Sequence, residues 1–297
     1  MVFLTSCARE AETHPRPQVK PPLEFLGEWG TKGGGPDNLY QPAGLATDSA
    51  GSVYVADNGS GFIHKFNFLG HPLLAFQDPG IPAPHAIAVD SGGAIYVSDS
   101  GKNRIFIFWP TGDRLREQRH GRGARFRSVG GLAVDPDGNL YVTDAVASQV
   151  IKFDADGRLK KAWGRRGTHP GEFRAPGPIA VGPDGSVYVA DAESACIQRF
   201  TRDGVWLATW GGAADQGGLK LPLALAAGEK FLFVTDGDTQ VHVMNFDGVI
   251  VHTEDLSIHV ASNPHFPDLN GIVVVNKSEL LVLDSAGAKV LRFRINL

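Results

Sequence analysis

Six aspartates recur at the ends of short apolar segments, and they are the first residues in this sequence that could do chemistry. Each one closes a related hexapeptide, such as NLYVTD at 139–144. They are Asp57, Asp99, Asp144, Asp191, Asp236 and Asp284. A ring of carboxylates could hold a cation or transfer protons. We expect a structural role instead, because a carboxylate at a strand end commonly accepts backbone hydrogen bonds from the following turn.

A second recurrent position could supply metal ligands. It is the second residue of six related segments, of which PHAIAVD at 84–90 is one. The six positions hold Ala43, His85, Gly130, Gly177, Leu223 and Asn270. A catalytic zinc site needs about three protein ligands, and calcium takes about six or more oxygens. One imidazole and one amide satisfy neither ion. We therefore predict no metal and no cofactor, with His85 neutral and hydrogen-bonded.

Both sets of residues are positioned by an internal repeat. Six units begin at residues 42, 84, 129, 176, 222 and 269, a spacing typical of propellers and solenoids. Each unit contains four short runs separated by turn sequences, such as PDG at 136–138. The second run is apolar on both faces, as expected for a strand in a sheet packed between two other sheets. Four-stranded sheets stacked radially form a β-propeller.

The ends of the repeat indicate how the ring closes. The last unit stops after its third run, VLRFRI at 290–295, whereas EFLGEWG at 24–30 is a fourth-run sequence without a unit of its own. We therefore predict an all-β fold, a six-bladed β-propeller of four-stranded antiparallel blades. An N-terminal strand would complete the C-terminal blade and remove exposed edges. The propeller would span residues 23–297 and be a monomer.

The repeat pattern resembles the NHL repeat family over residues 24–297. Its elements here are P-x-G-[LI]-A-V-D, then G-x-[VIL]-Y-V-[AST]-D, then [IV]-x-[KR]-F, and a fourth strand that ends in W-G. The resemblance implies a six-bladed propeller fold. It leaves the function open, because the family includes RNA- and protein-binding proteins, extracellular sensors of bacterial receptor kinases and a peptide-amidating lyase.

Resemblance to propeller enzymes supplies an alternative function. The amidating lyase of this family binds zinc with three histidines in P-H-x-[LI] segments, and only His85 matches that pattern. Six-bladed gluconolactonases bind calcium through Asn and Asp and also use a Glu. Asn270 and Asp284 faintly resemble the first two, but Ala43 stands where the Glu is needed. The alternative is thus a metal-dependent lyase or lactonase whose ligands come from longer loops.

Arginines cluster between residues 114 and 127, where RLREQRHGRGARFR holds six arginines and one glutamate. GRRGTH at 164–169 is a second basic segment, one unit later. Both segments lead into a first strand. We therefore expect them on adjacent blades of the face around the channel mouth, with His85 and Asn270 near its centre. Guanidinium groups there would bind phosphate, sulfate or carboxylate groups. The predicted anion contacts are Arg119, Arg122, Arg125, Arg127, Arg165 and Arg166.

The preferred function is non-enzymatic binding of a protein or an anionic ligand on this face. The alternative for the arginines is a solvated loop neutralised by neighbours such as Glu172 and Asp144. The net charge of −4 argues against a general polyanion binder. Phe126 is the only aromatic residue among the arginines, so we do not expect nucleic acid as the partner, because single-stranded bases need aromatic stacking.

The first ten residues, MVFLTSCARE, contain a short apolar stretch that ends in Leu4-Thr5-Ser6-Cys7. The stretch resembles the lipobox of bacterial lipoproteins, which implies lipidation of Cys7 and an extracytoplasmic, membrane-anchored location. Residues 8–22 are polar and proline-rich, as expected for a tether, so residues 1–22 are predicted to form a separate segment. The stretch lacks a basic region and is short for a signal. An unlipidated, cytoplasmic N-terminus is the alternative.

Overall fold

The computed structural model describes residues 21–118, 125–212, 218–237, 239–258 and 269–297. In these residues the chain forms six four-stranded antiparallel sheets. Each sheet is one blade, and five of the blades contain four strands that are consecutive in the chain. The predicted all-β fold with six four-stranded blades is therefore confirmed.

The strands are numbered in chain order. The first and second blades consist of β2 (Pro42–Thr47), β3 (Val53–Asp57), β4 (Phe62–Phe66), β5 (Pro72–Gln77), and of β6 (Pro84–Val89), β7 (Ile95–Asp99), β8 (Arg104–Phe108), β9 (Arg114–Gln118). The third and fourth consist of β10 (Val129–Val134), β11 (Leu140–Asp144), β12 (Gln149–Phe153), β13 (Leu159–Trp163), and of β14 (Pro176–Val181), β15 (Val187–Asp191), β16 (Cys196–Phe200), β17 (Trp206–Gly211). The fifth and sixth consist of β18 (Pro222–Ala227), β19 (Phe231–Asp236), β20 (Gln240–Asn245), β21 (Ile250–Asp255), and of β22 (Leu269–Val275), β23 (Glu279–Asp284), β24 (Lys289–Ile295), β1 (Leu23–Trp29).

The sixth blade closes the ring as predicted. Strand β1 pairs with β24, from Leu23 opposite Ile295 to Trp29 opposite Val290. An ion pair between Glu24 and Arg294, at 3.0 Å, spans the same two strands. The first strands of all six blades pack against one another in a closed circle, β2 against β6 and onward to β22, which returns to β2. Over the described ranges, no helix is long and apolar enough to cross a membrane.

The core lies between neighbouring blades. The second strand of each blade is buried, because aromatic and β-branched side chains cover both of its faces. The interface of the first two blades is an example, with Tyr54 of β3 packed in one cluster with Val97 of β7. Outer-strand tryptophans reach the next blade, and Trp29 lies 4.9 Å from Phe66 between ring centroids. Tyrosines of the second strands and tryptophans of the outer strands thus pack between blades.

Glycine at the third residue of several first strands allows the blades to approach closely around the channel. A Cβ added to Gly44 would overlap the carbonyl oxygen of His85 in the next blade. A Cβ on Gly131 would lie 2.6 Å from the carbonyl oxygen of Gly177. Backbone atoms cannot move away without shifting a whole strand. The size of this side chain is therefore limited by the neighbouring blade.

We expect Gly44→Ala to lower the free energy of unfolding by about 2 kcal/mol, because overpacking a close contact typically costs about 1–3 kcal/mol. Gly177→Ala is the matched control, since its Cβ would meet no atom within 4 Å. Equilibrium unfolding in urea measures both variants. Equal stabilities for the two would contradict the steric limit at Gly44.

Candidate functional site

Five of the six strand-end aspartates hold the described loop that enters their blade, and Asp284 holds the loop that follows its own strand. Asp144, at the end of β11, accepts hydrogen bonds from the backbone N–H groups of Arg127 at 2.7 Å and Ser128 at 3.0 Å. It also accepts one from the N–H of Ala147, at 3.0 Å, in the loop that follows its own strand. Each of the six carboxylates accepts at least one backbone N–H in this way. The predicted structural role is confirmed. We call each such unit an aspartate clamp.

In four blades the clamp fixes one exposed side chain at the channel mouth. The residue whose N–H is bonded lies 16 or 17 positions before the aspartate in four blades. These residues are Tyr40, Arg127, Arg174 and Lys220, and all four are exposed. Arg174 and Lys220 place basic residues at this position in the fourth and fifth blades, where Arg174 is paired with Glu193 at 3.5 Å. The sequence prediction missed both, although a constant offset from each aspartate would have found them.

A buried apolar side chain anchors each of the five described entrance loops. Leu39, Ile81, Phe126, Phe173 and Leu219 are the anchors, and none is more than about 5% exposed. Phe126 packs with Phe153 of β12 at a centroid separation of 6.1 Å. It belongs to the core and offers no surface for stacking a base. Anchor and clamp together hold the loop backbone from both sides.

Three arginines surround an open hollow of about 790 Å³ between the third and fourth blades. Arg125 and Arg127 come from the loop that enters the third blade, and Arg166 from the loop that enters the fourth. The side chains of these three are exposed, and they form no ion pair with any other described residue. We call this site the arginine hollow. It lies on the face of the predicted channel mouth, on adjacent blades as predicted.

The remaining predicted arginines differ in placement. Arg165 points to Glu172, with Nε 2.8 Å from Oε1, and His169 contacts the same carboxylate at 3.1 Å. The backbone N–H of His169, the Arg165 guanidinium and the His169 ring lower the pKa of Glu172 to about 2. Glu172 therefore neutralises Arg165, and Arg165 has less charge to offer an external anion than predicted. Arg119 and Arg122, like Cys7, lie outside the described residues.

The channel mouth itself is a hollow of about 310 Å³, which we call the entrance cup. Its rim holds Ala43, His85, Gly130, Leu223 and Asn270, as predicted for the second residues of the first strands. Its deepest ring is formed by the fourth residues, which alternate between leucine and isoleucine: Leu45, Ile87, Leu132, Ile179, Leu225 and Ile272. A separate hollow at the opposite end of the channel begins two residues further along each strand. The aliphatic ring therefore separates the two ends.

His85 and Asn270 supply the polar side chains of the cup. Burial lowers the pKa of His85 below its ordinary value, which favours the neutral imidazole that we predicted. Its Nδ1 is buried, and no described residue bonds it. Asn270 is exposed at the rim. One imidazole and one amide do not form a zinc or calcium ligand set, and no group of three potential metal ligands occurs within the described ranges.

Histidines reinforce two of the clamps. In the first blade Nε2 of His64 lies 3.8 Å from Asp57, while its Nδ1 lies 3.0 Å from the carbonyl oxygen of Pro36. In the fifth blade His242 lies 3.4 Å from Asp236. Burial raises the pKa of both aspartates, but the histidines and the backbone N–H groups outweigh it and bring each pKa to about 2.

The clamps of the first and fifth blades make stability depend on acid. A carboxylate whose pKa is lowered by folding stabilises the protein above its unfolded pKa of 3.8, and this stabilisation is lost as the pH falls through about 2. Each aspartate should contribute about 2 kcal/mol at pH 5 and much less at pH 2.5. We therefore expect Asp57→Asn/Asp236→Asn to reduce the change in unfolding free energy between these pH values by about 3 kcal/mol, measured in urea. Asp156→Asn, at an exposed hairpin, is the control. An unchanged pH dependence of the unfolding free energy in the double variant would disprove the contribution of these two carboxylates to stability.

Comparison with known families and structures agrees with this architecture. The NHL repeat family matches residues 39–66, 83–108 and 173–200, which cover the anchors through third strands of the first and fourth blades and the first three strands of the second. A solved streptogramin B lyase is similar with 16% identity and a TM-score of 0.68, over 92% of this chain and 98% of that chain. The comparison with curated protein sequences found no match.

Two further solved structures have the same fold and different roles. A gluconolactonase from Xanthomonas campestris is 19% identical with a TM-score of 0.66, over 87% of each chain. A chain in a nidogen–laminin complex is 21% identical with a TM-score of 0.61, over 71% of this chain and 79% of that chain. At these identities the similarity is one of fold alone. The chain is therefore a six-bladed β-propeller that contains NHL repeats.

Proposed function

We propose that this propeller is a non-enzymatic binding module that captures an anionic partner on its entrance face. The observation that carries the proposal is the arginine hollow. Its three arginines come from the entrance loops of two blades and form no ion pair with a described residue, and Asp144, which also lines the hollow, accepts backbone N–H groups instead. Other arginines of this chain are paired, as Arg165 is with Glu172 and Arg199 with Asp184. Guanidinium groups that form no ion pair are suited to bind carboxylate or phosphate in bidentate fashion.

The backbone that carries these arginines is held in place before a ligand arrives. Asp144 bonds the N–H of Arg127, and Phe126 is buried between the two arginines of the same loop. The backbone N–H of Phe173 donates to the carbonyl oxygen of Arg165 and fixes the neighbouring loop. Less backbone freedom is lost on binding when the contact residues are already ordered, so such a site binds more tightly. The partner would be a protein or an anionic ligand.

The proposal extends to the location of the protein. Lipidation at Cys7, followed by a tether over residues 8–22, would hold the propeller outside a bacterial cytoplasmic membrane. The chain of the nidogen–laminin complex has this fold in an assembly with another protein, which supports a protein partner as one form of the ligand. A propeller of net charge −4 needs a local basic site to select an anion, and the arginine hollow provides that site.

The arginine hollow is tested by its triple variant. Arg125→Ser/Arg127→Ser/Arg166→Ser should weaken binding of inorganic phosphate at least about tenfold, because each charge-assisted hydrogen bond contributes about 1.5–3 kcal/mol. Isothermal titration calorimetry at low and at moderate salt measures the affinity, which should fall with salt in the unmodified protein.

The matched control removes the same charge elsewhere on the third blade. Arg158, Lys160 and Lys161 lie at the far hairpin and on the outer strand β13, and all three are exposed. Arg158→Ser/Lys160→Ser/Lys161→Ser should bind phosphate within about twofold of the unmodified protein. If both triple variants lose affinity equally, binding follows net charge and the site assignment is wrong.

The alternative of a metal-dependent enzyme is tested separately. Elemental analysis of the propeller purified without chelator should find no stoichiometric zinc or calcium, since His85 and Asn270 offer too few ligands. A stoichiometric metal that is lost on His85→Ala or Asn270→Ala would favour the lyase or lactonase alternative. Such a result would also place the reaction at the entrance cup.

A further inference from the structure

The entrance cup is built to accept an apolar group. Its deepest ring consists of six leucine and isoleucine side chains, each less than a tenth exposed. No charged side chain is among the described residues that line it. Its volume, about 310 Å³, falls at the lower end of the range for small-molecule sites. An apolar group that displaces water from this aliphatic ring would be favoured.

The polar groups of the cup lie on one side. His85 belongs to the second blade and Asn270 to the sixth, so they flank the first blade, where Ala43 is small. The buried Nδ1 of His85 has no described partner, and a neutral imidazole can donate or accept one hydrogen bond. The cup can therefore bind one uncharged polar group of a ligand, but it has no means of neutralising a charge.

The opposite side of the cup is low and faces the basic loops. Gly130 lines the cup in the third blade, and Gly177 is the equivalent second residue of β14 in the fourth; we call these two glycines the glycine lip. A Cβ on Gly177 would project into open space. Arg127 and Arg174 each lie three residues before a lip glycine, which places their backbones at most about 10 Å away. No side chain of the lip itself stands between the cup and the arginine hollow.

We infer that the ligand of this face is an amphiphilic organic anion. Its carboxylate or phosphate head would bind in the arginine hollow, and its apolar body would cross the glycine lip and fill the entrance cup. This inference rests on the proposed function, because the head occupies the same anion site. It adds a second site, the cup, and a ligand class that neither site would select alone.

The test compares octanoate with acetate, which share a head group, and with 1-octanol, which shares the tail. Each buried methylene increases affinity by about fourfold. Calorimetric titration should therefore show octanoate binding at least about tenfold more tightly than both acetate and 1-octanol. The decisive variant is Gly177→Leu, whose side chain would obstruct the lip without touching the arginine hollow. In this variant octanoate should no longer bind more tightly than acetate, and the affinity for phosphate should stay within about twofold of that of the unmodified protein.

The outcomes separate the two proposals. Equal affinities for octanoate and acetate, with phosphate binding still sensitive to the arginine triple variant, would overturn the cup and leave the anion site. Equal affinities for octanoate and 1-octanol would overturn the role of the arginines in holding the head. Phosphate binding that is insensitive to the arginine triple variant would overturn the proposed function itself. Circular dichroism of Gly177→Leu must show the unmodified fold, and Gly177→Val is the substitute if it does not.

Discussion

Most of this surface depends on one repeated hydrogen-bonding unit, in which a buried carboxylate at the end of a strand holds the N–H groups of the loop entering the same blade. A carboxylate in a protein interior is costly unless its oxygens are bonded. The entrance loop supplies those bonds, so neither partner is stable without the other. Asp144 and the loop around Arg127 show the consequence, since the loop that carries the binding residues is part of the same cooperative structure as the core.

This coupling explains how a fold with many functions keeps its scaffold constant. The anchor and the clamped backbone are set by packing and hydrogen bonding, as at Leu39 and Tyr40 in the first blade. Neither packing nor hydrogen bonding determines which side chain is exposed at the clamped position. Tyrosine, arginine and lysine occupy this position in different blades of the same ring. A change of partner therefore needs changes at exposed positions, while the core stays as it is.

The sequence was sufficient for the fold because the repeat encodes it six times. The spacing of the units specified six blades, the unmatched EFLGEWG segment specified ring closure, and the strand-end aspartates indicated their own bonding. The site was less predictable because it depends on loops that do not repeat. Glu172 neutralises Arg165 only because the turn between them brings the two side chains together. Arg174 was overlooked because its role follows from its distance along the chain from the strand-end aspartate. Whether Nδ1 of His85 has a hydrogen-bond partner depends on neighbours in other blades, so no local sequence pattern predicts that it has none among the described residues.

Closure of the ring by β1 and β24 has a consequence for how the protein is made. These strands join residues about as far apart in the chain as any, and Glu24 and Arg294 are separated by 270 positions. The outer strand of the sixth blade, β1, emerges from the ribosome first, and its partner β24 emerges last. The sixth blade therefore cannot form until β24 has left the ribosome. Until then β1 has no partner and the incomplete ring exposes open edges, which are aggregation-prone. We therefore expect the meeting of the two ends to be slow, because the entropic cost of closing a loop grows with its length.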